Sequence, residues 1–189
     1  MKIGISLTIF ALAFGVHSFG VCAEDHPQAT MAMAKLIDAD KKQVGEAHLQ
    51  QTPTGILIQL SLSHIAPGTH AFHIHQVGKC DVPDFKSAGG HFNPFEEEHG
   101  ILNKDGQHAG DLPNIHVPES GTLTVEALTT HITLNQGKNQ VLDPDGAALV
   151  IHSSSDDYRT NPAGDAGQRI ACGVITAAST GTTSEPVQH

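Results

Sequence analysis

The stretch Gly68-Thr69-His70-Ala71-Phe72-His73-Ile74-His75 decides how the rest of the chain is read. Side chains alternate along a strand, so His73 and His75 leave one face while Phe72 and Ile74 leave the other. Such a strand has a packed side and an imidazole side. In a chain with fourteen histidines an H-x-H pair is by itself unspecific. The downstream residues add weight: His91, His99, His108 and Asp111 fall within one irregular stretch running from His91-Phe92-Asn93-Pro94 to His108-Ala109-Gly110-Asp111. Three imidazoles and a carboxylate make a closed tetrahedral set that suits zinc. Imidazole-rich sites without thiolate suit copper equally well.

Around this stretch the chain reads as short strands between turn signals, with no convincing long helix. Strands are expected at Thr30 to Asp38, Gln43 to Gln51 and Gly55 to Ser63, where Ile56, Ile58, Leu60 and Leu62 alternate with more polar neighbours. Pro67-Gly68 turns the chain into His70 to Val77, and later strands are expected at Thr122 to Leu128, Ile132 to Leu134, Ala147 to His152 and Arg169 to Ala177. The fold class is all-β: eight antiparallel strands in a Greek-key sandwich or flattened barrel with two long loops. Gly78 to Pro118 is too long for a plain connector and is expected to be functional.

Met1 to Ala23 has the layout of a secretory signal peptide: Lys2, an apolar run from Ile3 to Val16, and small residues before a cleavage point between Ala23 and Glu24. The run is too short for an ordinary spanning helix. A soluble, exported product, periplasmic or else secreted, is expected, with residues 24–189 forming one domain and a polar, mobile tail from about Ser179. Its two cysteines, Cys80 and Cys172, would form either a bridge or two buried thiols in a compartment that permits disulfides. Twenty carboxylate residues against ten Lys and Arg argue against nucleic acid or an anionic membrane as partner. An anionic substrate would need a local exception to that field.

Taken together, Gly68 to His75, Gly89-Gly90-His91-Phe92-Asn93-Pro94, His108-Ala109-Gly110-Asp111-Leu112, Ala147 to His152 and Arg169-Ile170-Ala171-Cys172-Gly173-Val174-Ile175 resemble the copper/zinc superoxide dismutases in order and spacing. The resemblance covers nearly all of the chain after the leader. It implies copper held by His73, His75, His91 and His152, and zinc held by His91, His99, His108 and Asp111, with His91 bridging the two. It further implies that Asp156 links His73 to His99 from the outer sphere, that Arg169 binds the anion, and that Cys80 and Cys172 are bridged. The implied reaction converts two superoxide anions and two protons to oxygen and hydrogen peroxide through a Cu(II)/Cu(I) cycle, with His91 carrying a proton. Gln76 stands where animal members usually have Glu, and the stretch from His152 to Arg169 is shorter than theirs; the close approach of Cys80 to His75 and the extra residues between Cys80 and His91 resemble the bacterial exported branch. Steering residues of the animal enzymes therefore do not transfer; Lys79, Lys86 or Lys138 are the local expectation. A homodimer is an assembly the family allows.

Several residues read as ordinary. Glu96, Glu97 and Glu98 suit a solvated face, and His64, His116 and His131 suit the surface. His26 and His189 lie near the mature termini, and His70 reads as a hydrogen-bonded structural histidine. Two rival functions have weaker support. A metal buffer has no use for an anion-binding arginine, and a structural sandwich with a relic site would have lost ligands.

Overall fold

The computed structural model describes residues 30–178; the expected leader, His26, and the tail from Ser179 with His189 lie outside them. The fold is all-β, with ten strands among the described residues: β1 Met31–Ile37, β2 Gln43–Thr52, β3 Gly55–Leu62, β4 Gly68–His70, β5 Phe72–His75, β6 Ile115–Val117, β7 Leu123–Thr129, β8 Ala148–His152, β9 Arg169–Val174 and β10 Thr176–Ala177. A 3-10 turn at Lys86–Ala88 is the one helical element among the described residues. One curled antiparallel sheet runs in the order β5-β8-β9-β1-β2-β3-β7, with β10 also on β1, and β4 pairs separately with β6. After the β1-β2-β3 meander the chain crosses to the far edge before returning as β7 beside β3. That crossing is a Greek-key connection.

Alternation decides which side of each strand is packed. In β3 the residues Ile56, Ile58, Leu60 and Leu62 are all buried while Gln59 and Ser61 face water. Ala32, Ala34 and Leu36 of β1, Ala47 and Leu49 of β2, Phe72 and Ile74 of β5, and Leu149 and Ile151 of β8 join them in one core. A second, smaller cluster lies on the outer face, where Phe85 and Ala88 cover Ala148, Val150 and Cys172.

Four expected elements come out differently. Arg169 to Ala177 is divided at Ile175 into β9, which pairs with β8, and β10, which pairs with β1. His70 to Val77 is broken at Ala71, whose N–H goes to the Ser154 carbonyl at 2.8 Å and whose carbonyl accepts from His152 N at 2.9 Å. The break lets β4 pair with β6 and β5 with β8. Ile132 to Leu134 is no strand: Ile132 and Leu134 are buried, but the segment is held by the Gln51 side chain, whose Oε1 accepts from Thr133 Oγ1 and Leu134 N, each at 2.9 Å. The long loop contains β6, where Ile115 and Val117 alternate with exposed His116.

Cys80 and Cys172 form a disulfide across a sequence separation of 92 residues. It ties the loop carrying Phe85 to β9. On the chain-entropy model, closing a loop of that length contributes about 4–5 kcal/mol. A Cys80→Ser/Cys172→Ser variant should lose stability on that scale in urea unfolding; a midpoint unchanged from the parent would contradict this.

Candidate metal centre

β5 is the edge of the sheet, and its backbone groups need partners. The loop supplies them: Ile74 N–H donates to Gly110 O at 2.9 Å, Phe92 N–H donates to Ile74 O at 2.8 Å, and Gln76 N–H donates to Gly90 O at 3.0 Å. Approach this close needs a glycine at 110, where a Cβ would collide with the Ile74 carbonyl. The result is that His91 and Asp111 lie as bridge partners of His75 and His73. From the other side β8 pairs with β5 and ends in His152.

Two groups of four ligand atoms form, each with its members within 4.8 Å of one another: His73, His75, His91 and His152, and His91, His99, His108 and Asp111. All seven side chains are buried, and the rings of His73 and His91 lie 4.0 Å apart between centroids. Every ligand-type residue expected from the sequence is thus brought to one place.

The remaining hydrogen bonds determine which ring atom faces inward. His73 Nε2 meets Asp156 Oδ2 at 2.8 Å, so its Nδ1 is left over. His75 Nδ1 donates to Gly89 O at 3.0 Å, leaving Nε2, which sits 3.4 Å from His152 Nε2. His91 Nδ1 lies 2.8 Å from Asp111 Oδ1, leaving its Nε2 toward the other group. Asp111 Oδ2 also accepts the backbone N–H of Gly100 and of His108, at 2.9 and 3.0 Å. Asp156 spans the two groups, its Oδ1 lying 3.0 Å from His99 Nε2.

Among the described residues, six buried side-chain polar atoms have no hydrogen-bond partner, and five are ring nitrogens: His73 Nδ1, His91 Nε2, His99 Nδ1, His108 Nδ1 and His152 Nδ1. His99 Nδ1 and His108 Nδ1 are 3.1 and 3.3 Å from Asp111 but are not aligned to bond it. Orphaned buried nitrogens are costly and rare; those of His73, His91, His99 and His108 belong to the two groups, whereas on His152 the nitrogen beside the group is Nε2, next to His75 Nε2. Neutral imidazoles plus one carboxylate are the donor set that copper and zinc take, so the residues fit both metals.

Burial and neighbouring rings shape the charges of the metal-free site. Desolvation pushes His91 down to about 4 despite Asp111, and pushes His152 down to about 3 with help from His73 and His91. It also holds His75 well below the usual range, with His91 adding to the effect. His99 goes the other way: desolvation opposes its charge, but Asp111 and Asp156 together raise it to about 9. Burial would raise both carboxyls, yet their histidine partners hold Asp111 and Asp156 well below the carboxylate range.

Arg169 is half-buried, and burial lowers its pKa. It donates from Nη1 to Phe85 O and from Nη2 to Gly89 O, both at 2.7 Å. It lines one cavity with His75, His91 and His152. None of Lys79, Lys86 and Lys138 is among that cavity's lining residues. Lys86 is paired with Asp84 at 2.7 Å, and Lys138 sits over the Phe95 ring at 5.3 Å.

Sequence reading passed over the residues that hold Asp156. Asn114 grips its backbone at both ends, with Nδ2 donating to Asp156 O at 2.9 Å and Oδ1 accepting from Asp156 N at 2.8 Å. Tyr158 Oη accepts from Asn114 N at 2.6 Å, and Asn161 Oδ1 accepts from His99 N at 2.8 Å. These partners lie 42 or more residues apart, so no local motif marks them. Asp157, the neighbour confusable with Asp156, is exposed and caps the turn at Arg159 and Thr160. His70 is buried with each ring nitrogen 2.8 Å from a carbonyl, of His152 and of Ala66. Glu96, Glu97, Glu98, His64, His116 and His131 are exposed.

A Greek-key β fold carrying two four-ligand groups that share one histidine defines a binuclear metalloprotein with an arginine beside one metal position. The family model described as "Copper/zinc superoxide dismutase (SODC)" matches residues 43–175, and the chain belongs to that family. A copper/zinc superoxide dismutase of Aquifex aeolicus is 51% identical over 144 residues, covering 75% of this chain and 85% of that one. A solved SOD-like protein from Bacillus subtilis shares 41% identity with a TM-score of 0.73, over 75% of this chain and 96% of that one. The copper/zinc superoxide dismutase of Brucella abortus is 26% identical with a TM-score of 0.65, over 77% of this chain and 99% of that one. The protein is thus an oxidoreductase acting on superoxide, with copper and zinc as cofactors. Among the described residues no helix is long and apolar enough to cross a membrane.

Asp156→Ala should weaken metal retention about 10–100-fold, the usual cost of losing an outer-sphere partner, measured by chelator competition; unchanged retention would refute the linking role. In the metal-free protein, His75, His91 and His152 resist protonation that the unfolded chain accepts near pH 6.5. Stability should therefore fall as pH drops from about 6.5 to 4.5. The contribution of His99 is already complete below its unfolded pKa, and the two carboxylates lose theirs only below about pH 4. A urea midpoint that is flat or rises on acidification across that window would count against this.

Proposed function

We propose that His73, His75, His91 and His152 hold copper, that His91, His99, His108 and Asp111 hold zinc, and that Arg169 receives the superoxide anion beside the copper position. The observation that carries this assignment is the placement of His91, whose Nδ1 meets Asp111 while its buried Nε2 faces the other group without a partner. When bound, copper supplies a one-electron Cu(II)/Cu(I) couple, while zinc, with a full d-shell, supplies charge and fixed geometry.

The chain's own residues do the rest. His91 Nδ1 is committed to the group that contains Asp111, so that Nε2 is the atom at which one proton is held and then released toward the reduced product. The second proton comes from solvent, and the balance is two superoxides and two protons to oxygen and hydrogen peroxide. Asp156, gripped by Asn114, fixes the rings of His73 and His99 together. Arg169 spends two donors on Phe85 O and Gly89 O and has three more in a rigid fork for a small oxyanion. A metal buffer using the same ligands would have no use for that half-buried cation.

The leader-like Met1 to Ala23 supports action outside the cytoplasm, protecting against superoxide there, with the mature chain 24–189 working as one domain. N-terminal sequencing of the exported protein should begin at Glu24.

Arg169→Ala should keep full copper and zinc yet slow superoxide decay about 10–100-fold, the effect of losing one charge-assisted contact. Pulse radiolysis with metal analysis on the same sample measures both. Full metal content in the parent without fast decay would sink the dismutase roles and leave the buffer.

A further inference from the structure

The sequence has three methionines, and the two beyond Met1 are Met31 and Met33. Both lie on β1, two residues apart. Along this strand Ala32, Ala34 and Leu36 are fully buried, whereas Met31 is exposed and Met33 half-buried. The two thioethers therefore leave the same outer face. On the neighbouring strand the direct partner of Met33 is His48, and that of Met31 is Gln50. His48 is exposed between buried Ala47 and Leu49, so its ring stands on the same face as the thioethers.

Directly opposed residues have Cβ atoms about 4.5–5.5 Å apart. Side chains as long as Met and His can therefore bring two sulfurs and one nitrogen to a common point. His48 Nε2 lies 3.5 Å from Glu46 Oε1 on the same face. A carboxylate on one ring nitrogen leaves the other for a ligand, the usual outer-sphere arrangement of a metal-binding histidine. Lys35, the remaining charged group on this part of β1, stands directly opposite Glu46.

We propose that Met31, Met33 and His48 form a surface site for one Cu(I) ion, separate from the buried centre. Thioethers are soft and neutral. They select Cu(I) over zinc or Cu(II), which take imidazole and oxygen donors instead. The site is not used by the catalytic residues, and it stands whether or not their assignment holds. It shares the outer sheet face with His73 and His75, since Ile37 pairs with Cys172, Cys172 with Val150 and Val150 with His73. A groove on that face runs from Met33 past Ile37 and Val174 to the Cys80–Cys172 bridge. Any Cu(I) held at Met33 thus lies at one end of a continuous surface on the metal-binding side.

The test titrates enzyme already loaded with copper and zinc with Cu(I) under anaerobic conditions, against a chromophoric Cu(I) chelator. The expected result is one further equivalent of Cu(I), with sulfur neighbours in X-ray absorption. A Met31→Leu/Met33→Leu variant keeps volume and folding. It should bind that equivalent at least ten-fold more weakly and lose the sulfur signal, as should His48→Gln for affinity. Dismutation by the loaded variants should match the parent. No extra equivalent in the parent, or unchanged affinity in either variant, overturns the proposal. Failure of the catalytic roles would appear separately, as loaded parent enzyme without fast superoxide decay.

Discussion

The structure depends on what covers the open edge of β5. An edge strand must satisfy its backbone groups, and the loop does so through Gly110 O, Phe92 N and Gly90 O. Loop residues that make those bonds cannot choose their neighbours. His91 falls beside His75, and Asp111 beside His73. Ordinary backbone pairing thereby assembles a site that no single segment contains.

That origin explains the division of labour among the ligands. His73, His75 and His152 sit on strands of the sheet, where packing of Phe72, Ile74 and Ile151 on the reverse face sets their direction. His99 and His108 come from irregular chain and need outside support. Asn161 and the carboxylates of Asp111 and Asp156 supply it. Gly164 is part of the same arrangement: with φ at +64°, a Cβ there would collide with the Asp156 carboxylate and crowd His99. The precision of the centre thus rests on rigid strands on one side and on shared carboxylates on the other.

The alternation of Gly55 to Leu62 and the H-x-H pair were legible because period-two patterning needs only local residues. The residues that gather into the two four-membered groups were legible because their motifs keep order and spacing. Ile132 to Leu134 misled because buried apolar residues look the same in a strand and in a plug, and only the distant Gln51 distinguishes the two. β6 was hidden inside a loop because three residues are too few to establish a period. Asn114 and Tyr158 carry no chemistry of their own, so nothing in the chain marks them before folding brings Asp156 between them.

Gly89 O receives both His75 Nδ1 and Arg169 Nη2, and Arg169 Nη1 reaches Phe85 O in the same loop that the Cys80–Cys172 bridge fastens to β9. One covalent link therefore bears on the position of the His75 ring and of Arg169 together. A chain with both cysteines reduced has every one of the clustered side chains yet lacks that tie. Redox conditions around the chain thereby bear on a group of side chains that contains no cysteine.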